Sequence, residues 1–524
     1  MMSDNETNRL VKGALVLTLA GLISKLLSAG YRIPLQNLTG DIGFYVYQQI
    51  YPILGIVFVL TLYGFPSAIS KMAVELKAQG TPLSIRGFYI PVFLILFVLS
   101  TILFLFLYFN APYIAGWVGD SHLTSTYQFA AFACLLVPFS SFIRGVFQGE
   151  YMMKPTALSQ VVEQFVRVTI IILAALFIFK EGDHIYQVGR AAVLASILGA
   201  IASSIILIVL FMQKKPYAKQ QNEEIQWQYY IRTIFILGIA AALNHMILLI
   251  LQFADTFTLF PSLIEAGYSK EAAMEAKGVF DRGQPLIQFG TVLGSSFALA
   301  LLPSISLKKI KQEPNTYYPY IGGAMLVSIY LALGATIGLV AIFPEVNRLL
   351  FQDNQGTLEL QLLVVSIILS SIAITASSIL QALGFIKRIA LFILLAFFVK
   401  WIANQVLVVQ LGLMGSAVAT ILSLLLLSCI VLIELQRKLP MLHLWQMLRW
   451  KALIFPGIIM VIYLSIVEWI TLPWLDNSRI SLFIYVVFIS LSGALLYGYM
   501  LIKCQAFTEK QLRMLPFNQF FKMK

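Results

Sequence analysis

A set of ionisable side chains stands inside, or at the edge of, long apolar runs: Lys25, Arg32, Arg144, Glu163, Arg167, His245, Asp255, Asp281, Arg282, Lys400 and Glu434. A charge near the centre of a bilayer costs roughly 2.5–3.5 kcal/mol on insertion scales, so such groups face protein or water rather than lipid. Cations outnumber acids in this set. If Lys25, Arg32, Arg167, Arg282 and Lys400 converge, they make an electropositive chamber. A phosphate or pyrophosphate suits it, because arginine grips such oxygens bidentately and lysine acts as a point charge.

Spacing sharpens some of these residues and leaves others open. Lys25 and Arg32, in AGLISKLLSAGYRIP, share one helix face; Arg32 has the simpler option of snorkelling to the outer interface. Glu163 and Arg167 are one turn apart and can neutralise each other as an internal ion pair. Lys400 sits mid-run in ALFILLAFFVKWIANQ with no acid in reach on its own helix, so it needs a partner from elsewhere or a water-filled cavity. Asn404 follows it by one turn. Asp255, in LLILQFADTFTLF, reads as an interface carboxylate, an arginine's partner, or a ligand for a proton or sodium ion. Asp281 and Arg282 open the run FDRGQPLIQFGTVLGSSFALALLPSIS, as a boundary marker or as a site. Arg144 and Glu434 lie near the inner ends of their runs and read as snorkelling residues. His245 reads as a packing residue, and the loop residues His122 and His184 carry no specific signal.

The elements that hold these residues are membrane spans. The 524-residue chain is 59% hydrophobic and 11% charged, with a mean hydropathy of +0.86; a soluble domain carries roughly 25% charged residues. About fourteen apolar runs reach spanning length, near 11–35, 44–70, 88–110, 125–148, 157–179, 186–212, 231–260, 281–306, 319–343, 360–385, 389–410, 412–435, 453–471 and 480–502. No soluble domain fits between them. The acidic, polar start MMSDNETNRLVKG is followed by no cleavage site, so the first run reads as a retained span. The polar stretch 261–280 reads as a short surface helix. Cys134, Cys429 and Cys504 show no paired spacing, which predicts neither a disulfide framework nor a metal site.

Loop charges set the orientation. Connections after even-numbered spans hold Lys71, Lys154, Lys214, Lys308, Arg388 and Lys438, among others, and those after odd-numbered spans hold few. Both termini are therefore expected in the cytoplasm, and the net charge of +12 reports such loops rather than a nucleic-acid partner.

A weak internal repeat is visible. YPILGIVFVLTLYGFPSAISK, from Tyr51, and QPLIQFGTVLGSSFALALLPSISLK, from Gln284, share an x-Pro opening and a Pro-Ser close. The pair Glu163 and Arg167 in span five is echoed by Lys400 and Asn404 in span eleven. The expected fold is an all-α membrane protein with two pseudo-symmetric six-helix lobes plus two C-terminal helices. The expected divisions are 1–212, a cytoplasmic linker 213–230, a second lobe 231–435, and 436–524 as spans thirteen and fourteen with a cytoplasmic tail. No GxxxxGK[ST], HExxH or GxSxG occurs, so neither a nucleotide motor nor a hydrolase is read, and no cofactor is expected.

The run FDRGQPLIQFGTVLGSSFALALLPSIS resembles the eighth span of MurJ-type lipid II flippases. The opening ISKLLSAGYRIPLQNLTGDIGFYVYQQIYPIL resembles the first two spans of the polysaccharide transporters related to stage V sporulation protein B and YabM-type members. All belong to the multidrug/oligosaccharidyl-lipid/polysaccharide (MOP) exporter superfamily. The resemblance implies a flippase in the bacterial plasma membrane. It would move an undecaprenyl-pyrophosphate-linked saccharide by alternating access, with spans thirteen and fourteen forming a groove for the lipid. Membrane lipids, a coupling proton or sodium ion and a monomeric state go with it. It places Arg282 on the diphosphate with Asp281 positioning it, and puts Lys25 where the family has a basic residue in span one, with Arg32 near a second such position. Asp255 and Asn404 match sodium ligands of sodium-coupled members. Lys400, one turn before Asn404, implies that this chain is not sodium-driven there. Two other functions stay open: an organic-cation antiporter of the same superfamily, which needs a carboxylate-dominated cavity, and a non-transporting scaffold for cell-wall or spore-coat assembly.

Overall fold

The structure, a computed structural model, describes residues 4–81, 83–178, 185–214, 225–301, 310, 312–471 and 478–507. Most of the expected linker 213–230, His184, the Pro-Ser close of the eighth span and the tail after 507 lie outside the described residues.

Helices account for the fold. In chain order they are α1 (Asp4–Gly30), α2 (Arg32–Val59), α3 (Phe65–Ala78), α4 (Ile90–Val118), α5 (Thr124–Ala131), α6 (Val137–Gly149), α7 (Met153–Ile178), α8 (Gln187–Lys214), α9 (Trp227–Thr233), α10 (Ile239–His245), α11 (Ile247–Glu265), α12 (Lys270–Asp281) and α13 (Gly283–Leu301). They continue as α14 (Pro314–Ala341), α15 (Phe343–Phe351), α16 (Thr357–Val364), α17 (Ser366–Ala382), α18 (Ile386–Leu411), α19 (Leu413–Lys438), α20 (Leu444–Met447), α21 (Trp450–Thr471) and α22 (Arg479–Lys503). Proline falls in the first turn of α14 and α15, where its missing N–H costs nothing.

Among the described residues, twelve stretches are long and apolar enough to cross a membrane. The first, Val16–Ala78, runs 63 residues, about 95 Å if straight, against about 30 Å of hydrocarbon. It is two traverses, broken where Gly40 takes φ 68, a left-handed value that glycine adopts without strain. Counting that stretch twice and adding α13 accommodates the fourteen expected spans.

By packing, the chain divides into two compact units: residues 1–282 with 386–416, and 283–385 with 417–524. These differ from the lobes expected at 1–212 and 231–435, because α9–α12 and α18 pack into the first unit. Buried ion pairs among α2, α11, α12 and α18 give the reason. In the second unit, hydroxyl pairs tie helices together: Thr291 to Ser370 at 2.7 Å and Ser328 to Thr375 at 2.8 Å.

The polar stretch expected as a surface helix is corrected here. Ser269 caps α12 by accepting from the Ala272 N–H, but Ala273, Met274, Lys277 and Gly278 are buried. The helix docks on the α2 break. A Cβ at Gly278 would lie 2.2 Å from the Asp41 carbonyl oxygen. Gly278→Ala is therefore expected to cost about 1–3 kcal/mol by overpacking, seen as a lower thermal midpoint in detergent. An unchanged midpoint would mean that α12 and α2 do not approach so closely.

Candidate functional site

All nine residues singled out by sequence for substrate or ion handling fall in the first unit, on α1, α2, α7, α11, α12 with its following residue, and α18. Eight of them form three groups, and Glu163 pairs with Arg144.

The first surrounds Tyr51 on α2. The Arg32 guanidinium carbon lies 3.8 Å above the Tyr51 ring, and that of Arg167 lies 5.8 Å from it. Lys25 acts on the same phenol electrostatically. Arg32 is fully buried, so it does not snorkel. Tyr31 and Tyr47, joined through their hydroxyls, complete an aromatic floor. Cation–aromatic contacts are worth about 0.5–2 kcal/mol, the upper value when desolvated, far less than a carboxylate partner supplies. Neither Lys25 nor Arg167 forms an ion pair among the described residues.

Glu163 does not pair with Arg167, one turn further on. It binds Arg144 instead, at 2.7 Å, and Arg144 also donates to Ser159 Oγ at 3.1 Å. Arg144 is fully buried; its expected snorkelling is corrected, because α6 turns it into the bundle toward α7. Lys71 and Glu75, an exposed i,i+4 pair on α3, stay outside this core.

The second group closes α12 against α2. Arg282 Nε donates to Asp41 Oδ1 at 2.7 Å, and its Nη2 donates to Asp41 Oδ2, a bidentate fork. Gln36 Nε2 adds a bond to Asp41 Oδ1 at 3.0 Å. Asp281, expected to position Arg282, instead takes Lys277 Nζ at 2.6 Å, an i,i+4 pair within α12. Helical geometry explains the exchange: adjacent residues point about 100° apart on a helix, whereas residues four apart lie on one face.

The third group is a buried cradle. Lys400 Nζ lies 2.8 Å from Asp255 Oδ1 and donates to the Ser416 carbonyl at 2.9 Å and to Ser416 Oγ at 3.1 Å. Asn404 Nδ2 donates to Asp255 Oδ1 at 2.7 Å and to Thr258 Oγ1 at 2.8 Å. Lys400 and Asn404 are fully buried and Asp255 nearly so. The partner that Lys400 lacked on its own helix comes from α11. Lys400 Nζ lies 5.9 Å from the Phe280 ring, next in sequence to Asp281.

The five cations thus fall into separate groups, and Arg282 and Lys400 are held by acids. Asp41 and Lys277 escaped the sequence reading. Asp41 sits in NLTGDIG, a polar interruption resembling an ordinary loop, and Lys277 sits in an Ala-Glu-Lys stretch resembling a surface helix. The i,i+4 spacing of Lys277 and Asp281 was the signal that could have found that pair. His245 stacks on Tyr63 at 4.2 Å, as a packing residue.

Residues 10–309 match the family described as polysaccharide biosynthesis protein. The chain belongs to that family. The uncharacterized membrane protein YabM of Bacillus subtilis is 37% identical over 432 residues, covering 82% of this chain and 80% of that protein. The lipid II flippase MurJ of Bacillus subtilis is 27% identical, covering 64% of each. A solved structure of lipid II flippase MurJ in an inward closed conformation superposes with a TM-score of 0.67 at 12% identity, covering 93% of this chain and 98% of that one. This member of the polysaccharide biosynthesis family is an all-α, multi-pass membrane protein with the transporter fold of the MOP superfamily.

Proposed function

We propose that the chain is a flippase that moves an undecaprenyl-pyrophosphate-linked cell-envelope precursor, either lipid II or a polysaccharide repeat unit, across the bacterial plasma membrane. On this reading both termini are cytoplasmic and the chain works by alternating access. The observation that carries this reading is the cationic group at Tyr51. Lys25 and Arg167 bring two charges with no ion-pair partner among the described residues, and Arg32 adds a guanidinium stacked on the ring. A diphosphate would supply the missing counter-charge, and a polar path through the protein would spare it the hydrocarbon. The lipid tail stays in the membrane.

The same bookkeeping of charge disfavours an organic-cation antiporter. Asp41, Asp255 and Asp281 each already hold a cation of the chain. Within the site, Arg282 and Lys400 serve the proposed cycle through their partners, as a clasp and a built-in counter-ion, and Lys25, Arg32 and Arg167 touch the head group.

Complementation tests the reading. A strain depleted of its own lipid II flippase should grow when it carries the wild-type chain, and should fail with Arg167→Gln at equal membrane abundance. Rescue by the variant would remove Arg167 from the head-group site. Failure of the wild type would mean that lipid II is not its substrate.

A further inference from the structure

We infer that the α6–α7–α8 bundle of the first unit binds a small monovalent anion, of the size of chloride, against Arg167. Arg167 is 5% exposed, and its Nε and Nη2 are buried without a hydrogen-bond partner. The carboxylate one turn away, Glu163, commits its charge to Arg144 at 2.7 Å. Arg144 keeps a buried Nη1 that is also without a partner. Two guanidiniums therefore share one carboxylate, and the bundle carries a net positive charge. The Tyr51 ring, 5.8 Å from Arg167, is also covered by Arg32 and cannot balance both. Leaving a cation buried and uncompensated is strongly destabilising.

Arg167 also lines a cavity. It measures about 30 Å³, and Glu163, Arg167, Ser140, Ser196 and Thr61 supply its polar lining. A water needs roughly 10–15 Å³ of such space, so the cavity admits a water or a halide. Water accepts an N–H bond but brings no charge. A halide accepts from Arg167 and cancels the excess, while the Glu163 charge that would repel it is already bound to Arg144. This inference does not rest on transport, since it concerns the protein without any lipid-linked substrate.

The test uses the purified full chain in detergent at constant ionic strength, with sodium chloride, sodium bromide or sodium gluconate. The unfolding midpoint should be a few degrees higher in either halide than in gluconate, saturating as halide rises. Arg167→Gln should show equal midpoints in all three salts. Equal midpoints for the wild type would overturn the inference and leave water in the cavity; a halide effect surviving in Arg167→Gln would place the anion elsewhere. Where that variant does not fold, crystals of the wild type grown in bromide decide. Anomalous density within hydrogen-bonding distance of Arg167 supports the site, and its absence there refutes it.

Discussion

Lys400→Met is expected to destabilise the protein by about 3–5 kcal/mol, the usual cost of removing one partner from a buried ion pair. Adding Asp255→Asn should return most of that loss. The reason lies in the cradle. Asp255 Oδ1 receives the Lys400 ammonium at 2.8 Å and the Asn404 amide at 2.7 Å, with almost no solvent access. Without the ammonium, a carboxylate remains in a dry site with only neutral donors. Chemical denaturation of the single and double variants, run as a cycle, measures the coupling directly. If the double variant is no more stable than Lys400→Met, the pair is not the unit described.

The same geometry makes a prediction about ions. The ammonium is held by a carboxylate, a backbone carbonyl and a hydroxyl, all oxygens at 2.8–3.1 Å. That donor set also suits a free monovalent cation. In Lys400→Ala, the shortened side chain vacates the set, and sodium in the medium should restore part of the lost stability. Choline at the same ionic strength should not. The wild type should be indifferent to the exchange, because it carries its cation on a tether. A steep sodium response of the wild type, abolished by Asp255→Ala, would sink this account.

How much of this was legible in the sequence depends on which physical signal each residue carried. Apolar runs of spanning length marked the helices, because lipid demands internal satisfaction of every backbone group. Mid-run charges marked the site, because each is costly unless partnered. Partnership itself was mostly invisible. Lys400 showed the need for an acid but not which one, since Asp255 comes from a helix that lies 145 positions earlier in the chain. For Glu163, the helical rule pointed to Arg167, and tertiary packing gave it Arg144 instead. For Asp281, adjacency in sequence suggested Arg282, and the helical rule, applied to Lys277, was the better guide. The packing units were equally hidden, because residues 386–416 join the first unit through contacts that no local pattern encodes.

Arg282→Ala and Asp41→Ala should each lower stability and abolish complementation, whereas the exchange Asp41→Arg with Arg282→Asp should recover more growth than either half alone. Both side chains are largely buried, 1% and 13% exposed, and they meet in a two-point fork reinforced by Gln36. Breaking one half leaves the other charge without its counter-ion, a loss of about 3–5 kcal/mol for a buried pair. The fork also sits where α12 crosses the break in α2, beside the close approach at Gly278. It therefore acts as a clasp between two segments of the first unit. A direct head-group ligand would behave differently. If Arg282 gripped the diphosphate itself, an aspartate in its place would repel that anion, and the exchanged pair would stay inactive however well it folded. Growth of the depleted strain, scored beside membrane abundance and thermal midpoint, separates the two roles. A stable but inactive exchange assigns Arg282 to the substrate; an active one assigns it to the clasp.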